Sequence, residues 1–224
     1  MSDSVPPGYT TPIPPKIMTP DRVETQIGTL EFDDGRPTAD TVERLYDFTD
    51  LMRSVQVFLD CIPAASLEAM RAGLAEHGLT ACHQILVADR LLDSAPLFLT
   101  GNTDTVYAAG LLDLRREGPT VVEIPPGCGP GTVNDAWFRF VVDMGAPGPD
   151  RGQGGKYLLL HEDDDVEVPD GYFVARSRSY VNWLILRGFL VGGRPDAATA
   201  MFRDELRVYP LSRVDDPPVM EFSS

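Results

Sequence analysis

The spacing of apolar residues changes character about one third of the way along the chain. From residue 39 to 62, Val42, Leu45, Tyr46, Met52, Val55, Leu59 and Ile62 recur at steps of three, four and seven. That spacing puts them on one stripe of a helix. Thr38 precedes the stripe as a capping residue, and Pro63 predicts its end. A further helix is predicted from about Ser66 to His77, with Leu67, Met70 and Leu74 on one face and Gly78 just past its end. Thr19-Pro20-Asp21 has the form of a helix start, which predicts a short helix ending near Gly28 or Gly35.

Beyond residue 83 the runs shorten and turn residues separate them. HQILVAD, TVYAAGLLDL, TVVEIPP, WFRFVVDMG, KYLLL, GYFVARS and SYVNWLILRGFLVGG are predicted as strands. An amphipathic helix follows Pro195-Asp196, with Ala197, Ala200, Met201 and Leu206 expected inward, and RVYPLS reads as a last strand. The fold class is α+β: a small N-terminal helical subdomain followed by an antiparallel β-sandwich of about seven to nine strands. The segments are an extended or disordered leader at 1–18, a helical part at 19–82, the sandwich at 83–212 and a tail at 213–224. The short period predicts no helix of about twelve residues or more between 84 and 193.

Charge narrows the function classes. The 224 residues hold 19 Lys and Arg against 34 Asp and Glu, a net charge of −15. Phosphate neutralisation needs cations, so binding to nucleic acid or to an anionic membrane is disfavoured as a main role. The N-terminus, MSDSVPPGYTTPIPPK, lacks the basic and apolar regions of a signal peptide, and the apolar region around Trp183–Val191 is broken by Arg187 and Gly188. Three cysteines without a paired spacing do not form a disulfide framework, which makes the cytoplasm the expected location.

The motifs that invite chemistry mostly read as structure. RGQGGK at 151–156 departs from the phosphate-loop pattern at Asp150 and Tyr157 and leads into a strand, so it is expected to be a mobile hairpin loop. His161-Glu162-Asp163-Asp164-Asp165 lacks the spacing of a calcium loop and reads as a solvated turn. His77, His83 and His161 are scattered, and no metal site is assigned. No nucleophile elbow is present, and no catalytic residue or cofactor is assigned. The distinctive segment is Gly101-Asn102-Thr103-Asp104-Thr105-Val106-Tyr107. As a strand it would place Thr103, Thr105 and Tyr107 on one face and Asn102, Asp104 and Val106 on the other. Two roles fit: a polar network that fixes the start of a strand, or the floor of a pocket in which Asn102, Asp104, Thr105 and Tyr107 orient a small polar ligand.

GNTDTVYAAGLLDL resembles the signature of the bacterial DUF1254 family, through Asn102, Asp104, Thr105, Tyr107, Asp113 and Leu114. TVVEIPP, VNDAWFRFVVDMGAPG, GGKYLLL, GYFVARSRSYVNWLILRGFLVGG and YPLS follow in the family's order, so the likeness spans roughly residues 40 to 212. The resemblance implies a helical N-terminal part and a β-sandwich, usually followed by a jelly-roll-like DUF1214 domain. It implies no catalytic residues. That second domain would normally begin near PLSRVDDPPVMEFSS, so the chain is expected to be a single-domain form, half of a split pair or a fragment. The expected function is therefore a binding or assembly module that pairs with a DUF1214-type domain or forms a homo-oligomer. The alternative is a small-molecule enzyme, such as a hydrolase, with its pocket at Asn102–Tyr107.

Overall fold

The structure is a computed structural model that describes residues 14–95 and 101–224, together with Gly8 and Pro12. The chain divides into two compact units, residues 1–60 and 61–224. Most of the expected leader lies outside the described residues. Its last part holds a single 3-10 turn at Pro15–Ile17.

In the first unit the expected short helix after Pro20 is replaced by a three-stranded antiparallel sheet: β1 (Arg22–Thr25), β2 (Gly28–Asp33) and β3 (Arg36–Pro37). Turn chemistry overrides the Thr-Pro start. Thr25 Oγ donates to the Gly28 carbonyl, and Asp34 and Gly35 both take positive φ, the backbone a tight hairpin needs. The helix α1 (Ala39–Glu76) then begins as expected. Thr38 Oγ accepts the Thr41 N–H at 3.3 Å, an N-cap bond. Thr41 is buried and ties the helix to β2, accepting the Glu31 N–H at 2.7 Å and donating to the Glu31 carbonyl at 3.0 Å.

Pro63 does not end α1. The two expected helices are one helix of 38 residues with Pro63 inside it. Proline has no N–H, so the Leu59 carbonyl has no partner one turn on. The good helix formers that follow it, Ala64, Ala65, Leu67, Glu68, Ala69 and Met70, carry the helix on. It closes where expected, with Gly78 at φ +83 and the Leu79 N–H donating back to the Leu74 carbonyl at 3.0 Å.

The second unit holds the sandwich. One sheet has six strands, in the order β13 (Glu221–Ser223), β4 (Gln84–Val87), β5 (Thr105–Asp113), β11 (Val181–Phe189), β7 (Gly131–Asp135) and β8 (Phe140–Met144). The other has four: β10 (Tyr172–Ser177), β9 (Gly155–His161), β6 (Thr120–Ile124) and β12 (Arg207–Pro210). Most pairings are antiparallel, while β10–β9 and β13–β4 are parallel. The tail thus contributes a strand. Among the described residues between 84 and 193 the one helix is α2 (Leu114–Glu117), four residues capped by Asp113.

Alternation along β5 and β11 divides the six-stranded sheet into two faces. Val106, Ala108, Leu112, Leu184 and Leu186 enter the sandwich core with Val122, Ile124, Tyr157 and Leu159. Tyr107, Ala109, Trp183 and Ile185 point the other way, where Leu67, Met70 and Leu74 of α1 pack against this side. The helix α3 (Asp196–Glu205) presents Ala198, Thr199 and Phe202 inward rather than the expected Ala197 and Ala200. The socket is Gly188 of β11. A Cβ there would stand 2.7 Å from the Ala198 Cβ and 3.0 Å from the Phe202 ring.

Candidate functional site

The segment singled out in the sequence starts one of the two longest core strands. β5 begins at Thr105, so residues 101–104 precede it rather than alternate within it. Asn102 Oδ1 accepts the Asp104 N–H, the Thr105 N–H and the Thr105 hydroxyl, each at 2.9 Å. This is an Asx-type turn that fixes where the strand starts. The Asn102 N–H in turn donates to the Tyr107 hydroxyl at 2.9 Å. Asp104 is exposed and accepts from the Thr103 hydroxyl at 3.0 Å. Thr105 and Tyr107 are buried. Asn102, Thr105 and Tyr107 therefore form one connected network, with Asp104 on its solvent side.

Tyr107 also borders a cavity of the second unit. Its ring faces the α1 side of the sheet, with the Arg187 guanidinium 5.5 Å from its centroid. Between this face and α1 lies a cavity of about 330 Å³. Tyr107, Trp183 and Ile185 wall it on the sheet, and Met70 and Leu74 on the helix. Three small residues, Gly73, Ala88 and Ala109, leave the space open, and Leu86 and Leu92 complete the lining. None of these residues is charged. Of the four residues expected to hold a ligand, Tyr107 alone is on this wall. Sequence reasoning assigned Met70 and Leu74 to a packed helix face and Trp183 to a core strand. The available signal was Gly73, a glycine inside a helical pattern.

The other polar clusters are structural. Asp150, where the phosphate-loop pattern would need glycine, is the organiser of the Gly-rich loop. One carboxylate oxygen accepts the Gly145 N–H at 2.8 Å and the Tyr157 hydroxyl. The other accepts the Gly152 and Gly154 N–H groups at 3.1 and 3.2 Å. Burial, with Asp150 beside it, pushes the Tyr157 phenol above its ordinary value. In the acidic turn, Asp164 accepts the His161 N–H at 2.8 Å, and the buried His161 ring stacks on Tyr180 with centroids 4.0 Å apart. Arg115 covers the other part of this stack at 4.3 Å from the Tyr180 ring. Among the described residues no group of three His, Cys, Asp or Glu is placed to hold a metal ion.

The cysteines are free, with Cys61 exposed and Cys82 and Cys128 buried. Burial pushes the Cys128 thiol up to about 12, and burial followed by the neighbouring Glu117 raises that of Cys82 further. Neither has the lowered pKa of a nucleophile. Among the described residues no helix is long and apolar enough to cross a membrane.

Comparison with known proteins gives a family and a fold. The profile described as "Protein of unknown function (DUF1254)" matches residues 83–210. A search of curated proteins finds no match. Among solved structures, the crystal structure of the VPA0106 protein from Vibrio parahaemolyticus is similar, with a TM-score of 0.55 at 17% identity. The similarity covers 75% of this chain and 40% of that one, so the chain corresponds to less than half the length of this neighbour.

Proposed function

We propose that this chain, which belongs to the DUF1254 family, is an assembly module that pairs with a second copy of itself through the first half of α1. One observation carries the reading. Leu45, Phe48, Met52, Val55, Leu59 and Ile62 alternate at steps of three and four along the helix, and all six are exposed. That is a heptad seam, the pattern by which one helix packs against another of the same kind. Leu51 and Phe58, also exposed, widen the seam on one side. Asp47, Asp50, Arg53 and Asp60 occupy the opposite, solvated side.

The magnitudes allow association. Fully burying one such side chain is worth ~1.5–3 kcal/mol. Losing the freedom of two separate chains costs ~4–15 kcal/mol. Six seam residues from each copy are enough to overcome that cost even when each is only partly covered. A DUF1214-type domain is the other candidate partner. It offers no reason for a 3.5-residue repeat, whereas a second α1 does.

Light scattering on the full chain at tens of micromolar tests the reading. The expected mass is twice 24.5 kDa. Met52→Glu with Leu59→Glu is expected to give the single-chain mass with unchanged far-UV circular dichroism. A monomeric parent chain overturns the pairing. A parent that is monomeric alone but forms a one-to-one complex with a purified DUF1214-type domain, lost in the double variant, assigns the seam to that partner instead.

A further inference from the structure

We propose that the cavity between the second half of α1 and the β4–β5–β11 face binds a small uncharged molecule, mostly hydrocarbon and carrying at most one hydrogen-bond acceptor. The inference is independent of the assembly reading, which rests on other residues.

Size comes first. About 330 Å³ lies within the range of pockets that enclose small ligands. The wall then selects the chemistry. Among the described residues it contains no charged side chain, and the Tyr107 hydroxyl already accepts a hydrogen bond from the Asn102 N–H. A charged group would be stripped of water among these lining residues, and the nearby Arg187 guanidinium, 5.5 Å from the Tyr107 ring, is not one of them.

Gly73 argues that the space is kept rather than left over. Glycine is the poorest helix former after proline, so its place inside α1 needs a reason. Packing gives none, because a Cβ at Gly73 would meet no atom of the described residues within 4 Å. The space that an ordinary side chain would enter is the cavity itself, and Ala88 and Ala109 are small where they border it. Trp183 is 4% exposed and closes the same wall without adding a polar group to it, so the wall gains by meeting hydrocarbon.

The test uses the full chain with Trp137→Phe, which leaves Trp183 as its single tryptophan. The uncharged fluorophore N-phenyl-1-naphthylamine is titrated in, and the Trp183 emission is followed. Saturable quenching at one probe per chain is expected. Gly73→Leu and Ala88→Leu, each made in this background, are expected to weaken binding at least tenfold, and Gly73→Leu to leave the melting temperature no lower. Met52→Glu with Leu59→Glu is expected to leave the titration unchanged, which separates this cavity from the exposed seam. Octan-2-one is expected to displace the probe, and octanoate at the same concentration is not. The proposal is overturned if Trp183 is not quenched, if both filling variants bind as the parent does, or if octanoate competes as well as the ketone.

Discussion

The two halves of α1 carry similar patterns and meet opposite fates. Before Pro63, large apolar residues recur along one side and remain exposed: Phe58 is 69% accessible and Leu51 60%. After Pro63, Leu67, Met70 and Leu74 recur in the same way and lie against the sheet, with Leu67 only 7% accessible. Helical periodicity reports that a face needs a partner. It does not say whether the partner is within the chain. The second half finds Ala109 and Trp183. The first half is where an outside partner is to be sought.

Charge placed on each half gives the sharpest contrast. Leu67→Asp buries an unpaired carboxylate against Trp183 and should destabilise the fold by more than about 3 kcal/mol. Thermal or urea unfolding measures this, and a loss below about 1 kcal/mol would mean that the second half is as free as the first. Pro63→Ala restores the missing N–H between the halves. Set against the extra freedom it gives the unfolded chain, the gain should be about 1–2 kcal/mol by urea unfolding.

Asn102→Ala tests what holds the wall that the second half faces. Three donors lose their acceptor, so stability should fall by about 1–2 kcal/mol, read from the same unfolding curves. If binding of an apolar probe collapses while the unfolding midpoint stays put, the side chain acts on the ligand and not on the strand. Val55→Asp, on the exposed half, should change the unfolding free energy of the monomer by no more than about 0.5 kcal/mol while removing the dimer in light scattering.

The smallest effect is chemical. Iodoacetamide at neutral pH should label Cys61 of α1 rapidly and spare Cys82 and Cys128 until denaturant is added, as counted by mass spectrometry. Raising the pH should not bring Cys128 in early. Its thiol stays protonated to about 12 in the folded chain, against an ordinary value of 9.0. The stability linked to that difference is full below pH 9 and is lost as the pH rises toward 12.

Much of the sandwich was legible because it depends on local alternation. The runs at HQILVAD, TVVEIPP, KYLLL and GYFVARS became β4, β6, β9 and β10. The elements that were misread depend on partners distant in sequence. β1 to β3 arise from turns at Gly28 and Gly35, which a Thr-Pro helix start concealed. The inward side of α3 is set by Gly188 across the interface, and no periodicity within ten residues announces that. At the candidate site the network of Asn102, Thr105 and Tyr107 was visible as a cluster of polar letters. The cavity was not, because its walls come from four separated stretches and its most telling residue is a glycine. Pro63 misled for a related reason: a proline costs a helix one bond, and 37 other residues outvote it.

The pairing of β13 with β4 also sets an order of events during synthesis. Gln84 and Glu221 are neighbours across 137 positions of sequence, joined by a side-chain hydrogen bond of 2.8 Å. On a ribosome adding roughly 5–20 residues per second, the second partner emerges on the order of ten seconds after the first. Through that interval the outer side of β4 has unpaired backbone groups, a template for any other extended chain. β13 is thus a closure made well after the strand it covers, and that delay is the window in which a nascent copy is most exposed to a neighbour on the same message.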